Sequence, residues 1–321
     1  MSGHVEALKQ IRPKKRIVFP EGNDPRIVAA AERLALDGLV EPILVCEPRR
    51  TPPAGVRCAV PDGKYASLYH ERRRSRGITM MESEEISRRP LYYASLMVAA
   101  GDADGSVGGA SSSTADTVRA ALHCIGTAPK VRTVSSIFFV CGPDPRLGKG
   151  GVVAMSDCAI IPDPTAVQLA EIAISSAASA RCLLRTEPIV ALLSFSTKGS
   201  GGQHPHVKKV TEALRYIRER APGLHIDGEL QADAALELEV GASKAKGSTV
   251  AGRANTLVFP DLDAGNIGHK LAITFSGGAG IGPFLQGLAK PANDLSRGCT
   301  SEEVYGAAVI TALQSVVDYC G

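Results

Sequence analysis

Apolar and polar positions along the chain fall into two kinds of block. Short apolar runs bounded by Pro, Gly or charge, such as RIVFP (16–20), EPILVC (41–46) and PIVALLSF (188–195), predict buried strands. Longer stretches carry apolar residues at helical spacing. EGNDPRIVAAAERLALDG predicts a helix with Asp24 as cap, Pro25 at its first position and Gly38 as stop. ISRRPLYYASLMVAAGDADG predicts a helix ending near Gly101. GSVGGASSSTADTVRAALHCI reads as a Gly-rich strand end, a polar turn and a helix. After about residue 145 the rhythm resumes, with a helix opened by Asp163 and Pro164, the strand at 188–195, the helix VKKVTEALRYIRERAPG, and a strand, loop and helix in NTLVFPDLDAGNIGHKLAI. The last helix is SEEVYGAAVITALQSVVDYC, and Thr300 and Glu303 fit a T-x-x-E capping box at its start. Residues 47–63 read as irregular, and CGPDPRLGKGG (141–151) is the best linker candidate. Strand–helix–strand order predicts an α/β fold built on parallel sheet covered by helices.

Composition narrows the function. With 321 residues, 44% of them hydrophobic, the chain can form one large or two modest domains. A net charge of +3, 4% aromatics and no Trp give no platform for nucleic acid. The eight cysteines, Cys46, Cys58, Cys124, Cys141, Cys158, Cys182, Cys299 and Cys320, are scattered without CxxC or Cys/His pairing. That spacing argues against a zinc site and against a disulfide framework, and no metal is expected. The first residues lack the apolar core of a signal peptide, and no apolar run reaches the roughly 18–20 residues of a membrane span. The expectation is a reduced, cytoplasmic protein.

Parallel α/β sheets bind ligands beyond the carboxyl ends of their strands. Three loops rich in Gly, Ser or Thr fit that place: GGASSSTAD, FSTKGSGG and PANDLSRGC. FSTKGSGG lacks the P-loop pattern, so it does not predict ATP binding. In the third loop Ser296 and Arg297 lie just before a helix N-terminus, where free N–H groups and the helix dipole favour an anion. Other readings of these residues are structural. Glu303 can be only a capping-box residue, Ser111–Thr114 only a capped turn, HERRRSRG only a solvated basic face, and Cys299 only a packed small side chain. His204 and His206 read as exposed loop residues.

The segments VFPEGNDPR, GGASSSTADTVRAAL, PDPTAVQLAEIA, LSFSTKGSG, IDGELQADAAL, GSTVAGRANTLVFPDLDAGNIGHK and IGPFLQGLAKPANDLSRGC together resemble the phosphate acetyltransferase (phosphotransacetylase) family, in family order and over nearly the whole chain. The resemblance implies two three-layer α/β/α domains with a cleft between them, like the isocitrate and isopropylmalate dehydrogenases, with the last helix returning to the first domain. The expected division is 1–142 plus 300–321, and 143–299. The implied reaction is reversible transfer of acetyl between acetyl phosphate and coenzyme A, without metal and with CoA as substrate rather than cofactor. The implied partners are CoA or acetyl-CoA, acetyl phosphate, inorganic phosphate and a second copy of the chain in a homodimer.

By the same resemblance Ser296 and Arg297 hold the phosphate and the reacting carbonyl, and Glu303 is the base for the CoA thiol. Ser113 and Thr114 lie near the phosphate, and Arg26, Arg73 and Arg119 near CoA. There are departures: Glu303 stands where the family usually has Asp, Ser112 replaces a His, and the connection through 47–63 looks shortened. Chemistry agrees with an arginine-centred site. A thiol of pKa near 8.5 is roughly 3% ionised at pH 7, a shortfall of about 2 kcal/mol. Orientation can supply about 7–11 kcal/mol, so an arginine clamp outweighs deprotonation. Two alternatives stay open from sequence: a relative acting on longer acyl groups such as butyryl, and a non-catalytic acyl-CoA-sensing module.

Overall fold

The computed structural model describes residues 2–48 and 51–316. In chain order the elements are α1 (Ser2–Lys9), β1 (Lys15–Phe19), α2 (Pro25–Leu36), β2 (Val40–Val45), β3 (Arg57–Ala59), α3 (Ala66–Arg73), α4 (Met80–Ser87), α5 (Pro90–Ala100), β4 (Gly105–Gly108) and α6 (Thr114–Cys124). Then follow β5 (Ser135–Cys141), β6 (Val152–Ser156), α7 (Ala166–Leu184), β7 (Val190–Leu193), α8 (Pro205–Arg220), β8 (Ile226–Leu230), α9 (Ala232–Leu236) and α10 (Leu238–Lys244). The series ends with β9 (Thr256–Val258), α11 (Leu262–Ser276), β10 (Ala279–Gln286), β11 (Ala292–Asp294) and α12 (Ser301–Gln314). The tail of the predicted last helix, with Cys320, lies outside the described residues.

The chain divides into two compact units. The first runs to Pro129 and resumes at Leu288 through α12, and the second is Lys130–Gly287. These boundaries differ from the expected 142/143 and 299/300 for a pairing reason. β5 hydrogen-bonds β10 and β6, which places it in the second sheet, whereas β11 hydrogen-bonds β4 in the first. The Pro/Gly-rich run after Cys141 therefore connects β5 to β6 within one antiparallel pair and is not a linker.

The first unit holds five parallel strands in the order β11-β4-β1-β2-β3. Side chains alternate across β1 and β2, so Val18, Ile43 and Val45 pack with Tyr69, Tyr93, Leu96 and Val98 from α3 and α5. Ile17, Phe19 and Leu44 are fully buried as well. β1 and β4 are neighbours although four helices and two strands separate them in sequence, so the order of strands reverses there. Asp24 caps α2 by accepting from the Arg26 N–H, Pro25 opens the helix, and Gly38 follows it at φ 63°, as its sequence predicts.

Local pairing corrects three expectations. β3 forms inside the stretch read as irregular, because Cys58 aligns with Leu44 in a parallel ladder. The same alignment brings Cys46 and Cys58 together in a disulfide, with Cα atoms 5.8 Å apart, which spacing alone could not reveal. α7 starts at Ala166 and not at Pro164, because Thr165 and Gln168 form a capping box.

The second unit is a mixed six-stranded sheet, β10-β5-β6-β9-β7-β8, with α7 and α8 packed on one face. A second cluster joins the strands to Ala235, Ala245, Ala272 and Ile273. α7 is the one helix among the described residues long and apolar enough to cross a membrane, and over half of its apolar window is buried inside the protein. Its loop FSTKGSGG is closed by acids. Glu229 accepts from Ser196 Oγ at 2.8 Å and Gly199 N at 2.7 Å, and Lys198 Nζ donates to Asp227 at 2.5 Å.

Candidate active site

The eight residues singled out in the sequence all belong to the first unit. Three segments leaving the carboxyl ends of adjacent parallel strands build the site: Pro20–Asp24 after β1, Gly109–Ser113 after β4, and Leu295–Thr300 after β11. This is the reversal point between β1 and β4, where an open parallel sheet leaves a crevice. A cavity of about 830 Å³ opens there, lined by Glu21, Leu91, Tyr92, Ser111, Ser113 and Arg119 among others. That volume is typical of a small-molecule site.

The serine turn is already filled with hydrogen bonds. Glu21 Oε2 accepts from Ala110 N at 2.7 Å, and Oε1 from Ser111 N at 2.9 Å, Ser111 Oγ at 3.1 Å and Ser112 Oγ at 2.7 Å. Ser113 caps α6: its Oγ accepts from Asp116 N at 3.2 Å and donates to Asp116 Oδ2 at 2.7 Å. Thr114 Oγ1 donates to Asp294 Oδ2 at 2.6 Å. The two hydroxyls expected at the phosphate thus have their protons directed onto carboxylates.

Sequence reasoning missed Asp294 and Glu21. Both stood in quoted segments, NDLSRGC and VFPEGNDPR, but nothing in their spacing distinguished them from surface acids. Asp294 is 3% exposed, and its Oδ1 is buried without a hydrogen-bond partner among the described residues. Gly109, at φ 102°, lets the chain pass over this oxygen, since a Cβ there would lie 2.2 Å from Asp294 Oδ1. Burial pushes the Asp294 carboxyl up to about 6, against the pull of hydrogen bonds from Thr114 and Thr117, and the negative charge of Glu21 adds to the rise.

The Ser296–Arg297 loop is short and exposed. Ser296 Oγ accepts from Gly298 N at 3.3 Å, which leaves its proton free to donate. The Arg297 side chain makes no ion pair among the described residues. Cys299 is buried, and burial raises its thiol pKa while the nearby Arg26 lowers it, so it is poorly suited to act as a nucleophile. Glu303 forms the capping box: Oε2 accepts from Thr300 N at 2.7 Å and Thr300 Oγ1 at 3.1 Å.

The three arginines expected at CoA separate. Arg119 lines the cavity from α6 and pairs with Asp116 at 2.5 Å. Arg73 ends α3, and its Nε is buried without a hydrogen-bond partner among the described residues. Both lie close to His123, whose pKa is lowered first by burial and then by these two charges. Arg72 is occupied at the Ile125 carbonyl. Arg26 differs. Nε and Nη2 donate to Asp24, Nη1 to the carbonyls of Arg297 and Cys299, and Nη2 also to that of Ala110. All five of its N–H groups are engaged, so no donor is left for a CoA phosphate.

Residues 4–312 match the family model described as phosphate acetyl/butaryl transferase. The chain is 47% identical to a phosphate acetyltransferase of Paracoccus denitrificans over 309 residues, covering 94% of this chain and 95% of that protein. A phosphotransacetylase structure from Streptococcus pyogenes superposes with a TM-score of 0.91 at 42% identity, covering 98% and 97% of the two chains. A 4-hydroxythreonine-4-phosphate dehydrogenase from Klebsiella pneumoniae shares the fold alone, with a TM-score of 0.51 at 11% identity over 95% and 99% of the chains.

The raised carboxyl of Asp294 has a measurable sign. Its proton is held more tightly in the folded protein than at the ordinary 3.8. The stability it contributes is therefore fully present below about pH 4 and is lost as pH rises through about 6. Asp294→Asn keeps an oxygen for Thr114 and removes the buried charge. The variant is expected to lose this slope and to be more stable than wild type above pH 7 by on the order of 1–3 kcal/mol. Urea unfolding at a series of pH values measures it, and a wild-type slope in the variant contradicts the assignment.

Proposed function

The chain belongs to the phosphate acetyl/butaryl transferase family and is an acyltransferase, and from the arrangement of its first unit we propose that it joins acetyl phosphate and CoA in a ternary complex by direct thiolate attack. One observation carries this reading. Arg297 presents an exposed guanidinium without an ion pair among the described residues, from a loop whose backbone is held by other residues. A fixed, unneutralised cation is what the leaving phosphate and the developing oxyanion require. Ser296 donates beside it. An acyl phosphate is already activated, so no enzyme-bound acyl group is needed, which agrees with the buried, raised thiol of Cys299.

In this mechanism phosphate meets Ser113 and Thr114 chiefly through the first-turn amides of α6, because their hydroxyl protons point at Asp116 and Asp294. The cavity lined by Leu91, Tyr92 and Arg119 takes the CoA chain, and Arg119 with Arg73 supplies charge for its phosphates. Glu303 accepts the thiol proton through Oε1, since Oε2 is anchored on Thr300. Relatives above 40% identity carrying the acetyltransferase name favour acetyl over longer chains. The chain works as a homodimer in this reading. Support comes from α11, where Ile267, Leu271 and Phe275, spaced four apart, are all exposed beside the edge strand β10.

Three measurements test these assignments. Arg297→Ala is expected to lose roughly 10²–10³ in kcat and Ser296→Ala far less, because one removes a full charge and the other a neutral hydrogen bond. An arginine variant within a few-fold of wild type rules the site out. Glu303→Gln keeps an oxygen for the capping box, so its melting temperature is expected to hold while kcat falls by about 10²–10⁴, with the loss shrinking as pH approaches the thiol's own pKa. Near-wild-type turnover across neutral pH rejects Glu303 as base. Phe275→Glu is expected to convert dimer to monomer in light scattering, and a dimer of unchanged stability moves the interface elsewhere.

A further inference from the structure

Arg26 belongs to none of the binding roles as the fold arranges it, and its bonds describe another task. Asp24 is the cap of α2, and its carboxylate, held below the usual range first by the Arg26 side chain, takes the guanidinium edge-on at 3.0 and 2.7 Å. That pair fixes the plane of the fork. The remaining N–H groups then reach three main-chain carbonyls in two separate segments: Ala110 at 2.7 Å in the serine turn, and Arg297 at 2.8 Å and Cys299 at 3.0 Å in the loop after β11. Ala110 is a fixed point, because Glu21 holds its N–H while Arg26 holds its C=O. Cys299 is buried at the start of α12. The two carbonyls taken in the second loop lie on either side of Gly298, so the turn that presents Arg297 is held at both ends.

We propose that Arg26 is a positioning residue for Arg297, tying the Ser296–Arg297 loop to the serine turn, and not a ligand of the CoA nucleotide. The inference rests on the reading of Arg297 as the charge at the reacting centre. Lysine cannot replace it. An ammonium has three donors and no planar fork, so it cannot pair with Asp24 edge-on and still reach three carbonyls in two loops. The side chain is 31% exposed, so bonds lost on substitution can be taken over by water. The loss then falls on the placement of the loop more than on folding.

The test compares Arg26→Gln and Arg26→Lys with wild type, using CoA and a short thiol without a nucleotide such as N-acetylcysteamine. A displaced Arg297 is expected to lower kcat with CoA by about 10-fold or more, with the KM for CoA within about 3-fold. The same fold-loss in kcat/KM is expected with the short thiol. Combined with Arg297→Ala, the Arg26→Gln change is expected to add almost nothing, because it acts through the residue already removed. A raised KM for CoA at unchanged kcat, vanishing with the short thiol, overturns the proposal and makes Arg26 a CoA ligand. Losses that multiply in the double variant overturn it as well. Should the Gln variant melt below the assay temperature, the Lys variant decides, and wild-type kcat there overturns the proposal. The underlying reading fails by a different result, wild-type turnover in Arg297→Ala.

Discussion

Ala110 is held at both its N–H and its C=O by the stretch that leaves β1 and opens α2: Glu21 accepts its N–H and Arg26 donates to its C=O. The rest of the site depends on this double tie. It fixes the serine turn relative to β1, and through the other branch of Arg26 it fixes the loop after β11 relative to both. The sheet makes this possible. β1 and β4 are hydrogen-bonded neighbours and β11 pairs with β4, so three loops far apart in sequence emerge side by side at one edge. Each bond is worth only about 1–3 kcal/mol with charged partners. Their number and rigidity matter more than their strength, because placement of a charge within a fraction of an ångström controls rate.

Much of this was legible in the sequence, and the part that was not has a common cause. Asp24, Pro25 and Gly38 marked α2, Thr300 and Glu303 marked α12, and Gly101 closed α5, because caps and stops depend on neighbours within four residues. Likewise the loops holding Ser296, Arg297 and Ser113 were found at strand ends. Pairing across the sheet was invisible. The Cys46–Cys58 disulfide, the strand at Arg57–Ala59 and the allocation of β5 to the second sheet all follow from which strands lie adjacent. Asp294 and Glu21 were missed for the same reason. An acid in a loop is ordinary until a partner strand buries it.

The electrostatics of the first unit look adverse for a substrate that carries phosphate. Glu21 and Asp294 lie beside the serine turn, and Asp116 faces Arg119. Their bonds show how the opposition is managed. Glu21 is surrounded by four donors, Asp116 is shared between Ser113 and an arginine, and Asp294 takes the hydroxyl proton of Thr114. The acids are used to orient hydroxyls and main chain, and most of their charge is matched locally. Arg297 is the contrast, since its carbonyl is held while its side-chain charge has no ion-pair partner among the described residues. A cation kept apart from the carboxylates around it retains its full field for an incoming anion.

This arrangement explains why a longer acid at position 303 is compatible with the chemistry. Deprotonating a thiol at neutral pH accounts for about 2 kcal/mol, less than the roughly 7–11 kcal/mol that orientation can supply. Glu303 is fixed at one oxygen by Thr300. In the proposed mechanism the demanding part is to hold a carbonyl, a phosphate and a sulfur in line while charge moves from one to the other, and that part is assigned to Arg297 and the residues that fix its loop. Arg26 is locked by five bonds, while Glu303 stands at the exposed first turn of a helix.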